Sequence, residues 1–69
     1  MSFGSAAGVV EEFDAEVGLG TIVDDEGRRW PFHCTVIADG TRTIEVGTRV
    51  RFDRSWGGPG RWEAVAVSP

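Results

Sequence analysis

The sequence of 69 residues contains no lysine, asparagine, glutamine or tyrosine, and it has one cysteine, Cys34. A single cysteine excludes a disulfide within the chain and suits a reducing compartment, so we expect a cytoplasmic protein. Without asparagine and glutamine the chain lacks the side chains that read adenine with two hydrogen bonds, which disfavours strongly sequence-specific readout. The first residues carry no basic segment and no long apolar run, so neither a signal peptide nor a membrane span is expected.

Positive charge is scarce and unevenly placed. Seven arginines face eleven acidic residues, which gives a net charge of −4. Seven of the acids lie within residues 11–26, whereas every arginine lies at position 28 or later. The overall charge opposes binding to a polyanion, because neutralisation of phosphates drives most non-specific affinity for nucleic acid. A local basic groove remains compatible with this composition.

Short runs of apolar and β-branched residues, separated by Gly and Asp, indicate a small all-β domain. The predicted strands cover residues 8–13, 17–23, 29–35, 48–53 and 61–67. Residues 1–7 are predicted to form a flexible tail and residues 8–69 a single domain. Five strands of roughly six residues suit a five-stranded antiparallel barrel of the OB type. An SH3-like barrel is the alternative, and periodicity alone does not separate the two.

Four segments carry a resemblance that does separate them. GVVEEFDAEVGLGTI lies over the motif G-x-V-K-W-F-N-x-x-K-G-F-G-F-I, and WPFHCTVI lies over V-F-V-H-F-S-A-I. TIEVGTRVRF matches T-L-x-x-G-x-x-V-x-F, and GGP precedes the last strand as a loop G-P does. From residue 8 to residue 67 the chain thus resembles the cold-shock domain. That resemblance implies a five-stranded OB-fold barrel that binds single-stranded RNA or DNA.

The binding residues of that family are retained only in part. Phe13 and His33 stand where the family has a stacking phenylalanine and histidine. Most other rings, both lysines and one asparagine are replaced, at Glu11, Glu12, Asp14, Val17, Leu19, Thr21, Pro31 and Cys34. Stacking of a base on an aromatic ring contributes about 1–3 kcal/mol. The resemblance therefore implies a module that binds nucleic acid weakly.

Alternation along the predicted strands assigns side chains to two faces. Phe13, Val17, Leu19 and Pro31 should form an aliphatic outer patch edged by acids. Such a patch usually marks a contact with another macromolecule, and it favours a protein partner over nucleic acid. Val17 and Leu19 could equally close a small core, because a register slip of one residue would exchange the faces.

Three further residues are candidates for contacts to nucleic acid. Arg28 and Arg29 lead into the third strand and could hold phosphates. Trp56 lies in a glycine-rich segment predicted as a loop, where it would either stack on a base or fold back onto the barrel. Trp30 is predicted to fill the core together with Phe32. The sequence predicts that Trp62, the third tryptophan, packs along the last strand.

No motif supports catalysis, a cofactor or a metal site. His33 and Cys34 are expected to point to opposite faces of a strand, and one His with one Cys falls short of a zinc site. The acids at 24–26 are predicted to form a solvated turn, and Gly18 and Gly20 to relieve crowding in a coiled strand. We therefore predict a monomeric, non-enzymatic module that binds single-stranded RNA or DNA. The alternative is a degenerate OB-fold that binds an unidentified protein.

Overall fold

The computed structural model describes residues 2–38, 40–56 and 62–69, without the side chains of residues 2, 3 and 56. This part of the chain is all-β, as predicted, and contains a single short 3₁₀ helix, Cys34–Val36. None of the described residues belongs to a helix of the length and apolar character needed to cross a membrane. The five strands are β1 (Ser2–Asp14), β2 (Leu19–Asp24), β3 (Arg29–His33), β4 (Arg49–Trp56) and β5 (Trp62–Ser68).

The strands form one antiparallel sheet in the order β3-β2-β1-β4-β5. The long first strand pairs with β2 through its second half and with β4 through its first half, so it coils around the molecule. The two edge strands, β3 and β5, then approach each other, and a bridge between Ile37 and Val67 lies beside them. The result is a nearly closed five-stranded barrel of the OB type, as predicted.

The barrel interior is filled by alternate residues of every strand. Trp30 and Phe32 of β3 are buried, which confirms the core positions predicted for them. Val50 and Phe52 point inward from β4, whereas the intervening Arg51 is exposed. Among the residues whose burial the structure describes, the buried apolar ones are Val10, Ile22, Trp30, Phe32, Ile37, Val50, Phe52, Ala64 and Val67.

A β-bulge in β1 changes which residues share a face. Val10 pairs with Ile22, but the next pair is Glu12 with Thr21, so one extra residue of β1 lies between them. Beyond such a bulge the inward and outward positions exchange. Phe13 therefore turns toward the core rather than to the outer face predicted for it, and Glu12 takes the outer position.

The strand ends also differ from the prediction. Ser5, Ala6 and Ala7 pair with β4, so residues 2–7 belong to the first strand where a flexible tail was predicted. The backbone of Trp56 lies at the end of β4, opposite Trp62, rather than in a loop. The barrel is thus extended beyond the predicted strands at one end.

Candidate nucleic-acid interface

A first cleft of about 560 Å³ lies among residues of β1, β2, β3 and β5. Both Phe13 and His33 line it, so the structure brings together the two aromatic residues predicted to stack bases. The lining residues among the described part of the chain are Glu12, Phe13, Asp14, Val17, Leu19, Gly20, Thr21, Pro31, Phe32, His33 and Glu63. We call this surface the sheet cleft.

The Phe13 ring lies at the floor of the sheet cleft. Its ring lies nearly parallel to that of Phe32, with the centroids 6.0 Å apart and the planes 13° apart, and it is half-buried. Gly20 makes room for this pair, because a Cβ at that position would lie 2.5 Å from the Phe32 ring. This confirms that Gly20 relieves crowding. Phe13 therefore forms part of the cleft floor and also packs against the core.

His33 is held at the rim by the residues that follow it. Strand β3 ends at His33, and the Thr35 backbone N–H donates a hydrogen bond to Nδ1 at 3.2 Å. Because a backbone N–H can only donate, the neutral ring carries its proton on Nε2. The exposed histidine thus presents a ring face and an N–H donor at the cleft.

Cys34 lies closer to His33 than strand alternation predicted. Because the chain enters the 3₁₀ helix at Cys34, its Sγ lies 3.8 Å from His33 Nδ1, whereas opposite faces had been expected. The same Nδ1 already accepts the Thr35 N–H and lies 3.0 Å from the Thr35 hydroxyl. His33 Nδ1 thus caps the 3₁₀ helix, and Cys34 Sγ lies beside that cap.

The sheet cleft is acidic and apolar. Glu12, Asp14 and Glu63 are its charged lining residues, and no arginine is found among the described residues around it. Val17 is 58% exposed and Leu19 53% exposed, so these side chains offer an aliphatic surface to solvent. Repulsion from the carboxylates opposes a nucleic-acid backbone here.

A second cleft, of about 700 Å³, lies at the Arg29 end of β3. Strands β4 and β5 close it from the other side. The described residues that line it are Arg28, Arg29, Trp30, Arg54 and Trp62. We call this surface the arginine–tryptophan cleft. The sequence pointed to Arg28 and Arg29, but it gave no sign that Arg54 and Trp62 would meet them, because only the approach of β5 to β3 brings them together.

Two indole rings form the apolar wall of the arginine–tryptophan cleft. Trp62 is 37% exposed, and its ring meets that of the buried Trp30 edge-on, at 6.1 Å and 89°. Trp30 Nε1–H donates to Asp24 Oδ2 at 2.8 Å, which satisfies a buried donor. Asp24 thereby fixes Trp30, and Trp30 in turn supports Trp62.

Asp24 also organises the turn between β2 and β3. Its Oδ1 accepts hydrogen bonds from the backbone N–H groups of Glu26 and Arg28, both at 2.9 Å. Burial by itself would raise the pKa of this carboxyl group, but the hydrogen bonds from Trp30, Arg28 and Glu26, with the Arg28 charge, lower the pKa overall. Asp24 is thus a structural carboxylate. The described residues include no cluster of three or more side chains suited to a metal ion.

The structure does not bring all the residues predicted to contact nucleic acid together at one site. Arg29 is paired with Glu11 across the sheet, Nε to Oε1 at 2.9 Å, and this hydrogen bond and the Glu11 charge raise its pKa. Arg28 is exposed beside it. The predicted contact of Trp56 lies outside the described side chains. Phe13 and His33 therefore line one cleft, and Arg28 and Arg29 line the other.

Comparisons with known proteins agree with this architecture. The sequence model of the family described as 'Cold-shock' DNA-binding domain matches residues 6–69. A solved structure described as "drosophila Unr CSD456" superposes with a TM-score of 0.79 at 23% identity, over 94% of this chain and 26% of that one. At that identity the likeness concerns the fold. A search of curated proteins found no match. From the family match and the five-stranded barrel it follows that this chain belongs to the cold-shock domain family, whose fold binds nucleic acid.

Proposed function

We propose that this chain is a non-enzymatic, cytoplasmic and monomeric module that binds single-stranded RNA or DNA weakly and with little sequence preference. The observation that carries the proposal is the membership of residues 6–69 in a nucleic-acid-binding family. His33 adds chemical support, since its exposed ring with a proton on Nε2 can stack on a base and donate a hydrogen bond. Stacking tolerates every base, which accounts for the low sequence preference.

Weak binding follows from the charges around the predicted site. In the sheet cleft Glu12 and Asp14 stand at family positions for a ring and a polar amide, and Glu63 adds a third carboxylate. Each carboxylate repels phosphate, and each missing ring removes a stacking contact. If a relative with intact rings binds in the nanomolar range, a loss of about 4 kcal/mol leaves a micromolar dissociation constant.

Titration of a labelled single-stranded oligonucleotide tests this function. We expect a micromolar Kd in 50 mM salt and weaker binding as salt rises, because counterions released from phosphates drive the association. His33→Ala should weaken binding about tenfold through loss of one stacked base. Phe13→Ala should weaken it too, although this ring also packs on Phe32, so its folding is checked by circular dichroism.

Val46→Ala is the matched control, because Val46 is 61% exposed and lines neither cleft. It should bind like the wild-type chain. Absence of binding at roughly 100 µM wild-type protein in low salt would remove the proposed function, since the affinity would then fall below that of ordinary non-specific contacts.

A second candidate function is supported by one observation. Val17 and Leu19 are more than half exposed on a cleft whose charged lining residues are acidic. A basic protein segment with apolar side chains would complement that surface. Unchanged oligonucleotide binding by Leu19→Ser, together with loss of binding to a protein partner, would assign the sheet cleft to this role.

A further inference from the structure

The charges of the two clefts are opposite, although the chain as a whole is acidic. The described lining of the sheet cleft has three carboxylates, whereas that of the arginine–tryptophan cleft has the guanidinium groups of Arg28, Arg29 and Arg54. Arg54 also borders a depression on the side of the acidic turn at 24–26, so it stands between a negative and a positive surface. Of the two clefts, the arginine–tryptophan cleft is the one suited to an anion.

The cleft also contains a ring placed for stacking. Trp62 meets Trp30 edge-on, and this geometry leaves part of its indole in solvent, at 37% exposure. Trp30 cannot swing away, since Asp24 holds its Nε1–H at 2.8 Å. Because the fixed Trp30 ring supports it, the Trp62 indole loses little conformational freedom when a planar group packs on it. Cationic groups beside a stacking ring are the combination found in single-strand binding grooves.

We propose that the arginine–tryptophan cleft binds one nucleotide of the single-stranded nucleic acid. The base stacks on Trp62, and the adjacent phosphates pair with Arg28 and Arg54. This inference rests on the proposed function and adds to it a site outside the sheet cleft. The arginine–tryptophan cleft, at the opposite end of β3, thus supplies the positive charge that the sheet cleft lacks, together with a stacking ring. Different residues of the same two strands, β3 and β5, line both clefts, so one strand of nucleic acid passes from Trp62 to His33 along that seam.

Glu11 opposes phosphate binding at Arg29 in the same site. Its carboxylate holds Arg29 at 2.9 Å, and both side chains remain exposed. A phosphate arriving at Arg29 has to compete with that carboxylate and is repelled by it. Removal of the Glu11 charge should therefore strengthen binding, an effect that a partly unfolded variant would not produce.

The test is a titration of labelled oligothymidylate with single variants, at two salt concentrations. Trp62→Ala should weaken binding about tenfold, and Trp62→Phe should restore most of the affinity because it keeps a ring. Arg28→Gln should weaken binding and reduce the slope of log affinity against log salt by about 0.7, the value for one phosphate contact on a single strand. Glu11→Gln should bind about threefold tighter.

Arg51→Gln is the matched control for charge. Arg51 is an exposed arginine of β4 that lines neither the sheet cleft nor the arginine–tryptophan cleft. Its replacement changes the net charge by the same amount as Arg28→Gln. Folding of Trp62→Ala is checked by thermal unfolding, and the exposed Arg28 side chain gives a variant that does not depend on packing. A larger effect of Arg28→Gln than of Arg51→Gln supports the site, and equal effects overturn it.

The outcomes distinguish a failure of the nucleotide site at the arginine–tryptophan cleft from a failure of the proposed nucleic-acid-binding function. If the wild-type chain binds but Trp62→Ala and Arg28→Gln bind equally well, the nucleotide site is wrong and the proposed function stands. If Glu11→Gln binds no tighter than wild type, the restraint at Arg29 is wrong. If the wild-type chain binds no oligonucleotide, both the function and the site fail.

Discussion

Gly8→Ala should lower the free energy of unfolding by about 3 kcal/mol, near the upper end of the usual cost of overpacking. Gly8 is buried in the middle of β1, where it pairs with Asp24 of β2 and with Val50 of β4. A Cβ at this position would overlap the Val23 carbonyl oxygen and lie 2.8 Å from the Asp24 Cα. Because these are backbone atoms, relief requires β1 and β2 to separate.

That loss is large for a barrel of this size. At about 0.05–0.15 kcal/mol per residue, a domain of 69 residues has a stability of only several kcal/mol. Urea unfolding followed by tryptophan fluorescence measures the change. Gly27→Ala is the control, because Gly27 has a φ of +84° but no atom within 4 Å of its added Cβ. It should lose about 1 kcal/mol from backbone strain alone. Equal losses for the two variants would contradict the close approach at Gly8.

Asp24→Ala is expected to destabilise the fold by about 2 kcal/mol. The substitution leaves the buried Trp30 Nε1–H without its acceptor and removes two hydrogen bonds from the β2–β3 turn. Asp24→Asn keeps one acceptor oxygen, so it should lose about half as much. The Trp30 indole N–H signal in NMR spectra should shift in both variants. An Ala variant as stable as wild type would show that this network is not structural.

The same carboxylate makes stability depend on pH. The pKa of folded Asp24 lies below its ordinary value of 3.8, so below about pH 4 the unfolded chain takes up a proton first. The Asp24 contribution is therefore complete above the unfolded pKa and is lost as pH falls through the folded pKa. Asp24→Asn cannot titrate, so the stability difference between wild type and this variant should shrink from about pH 6 to about pH 2. A constant difference would contradict the lowered pKa.

The sequence predicted the strands better than their faces. Alternating apolar residues located all five, and the inward positions of Trp30 and Phe32 followed from a period of two. The bulge after Val10 broke that period and turned Phe13 inward. A single extra residue in one strand changes no composition or spacing signal, and its position depends on the pairing partner. The face of Phe13 therefore could not be read from the sequence.

The sequence predicted those residues of the candidate site that a local motif or turn identifies, but not the contacts between residues far apart in the chain. His33 follows from its own motif, and Arg28 and Arg29 from the turn before β3. Trp62 was expected to pack along its strand, yet its contact is the Trp30 ring of β3, more than thirty residues earlier in the chain. Nothing in the local sequence of β5 reports that distant partner. Contacts across the seam between β3 and β5 exist only once the barrel has closed.

Titration of ¹⁵N-labelled protein with a short single-stranded oligonucleotide tests whether the two clefts bind nucleic acid, because NMR spectra locate the contacts. We expect the signals of the Trp62 indole N–H and of the Arg28 and His33 backbone amides to shift as the oligonucleotide concentration rises. Signals of Val46, outside both clefts, should remain in place. A spectrum that does not change at millimolar oligonucleotide would show that this cold-shock domain does not bind nucleic acid through either cleft.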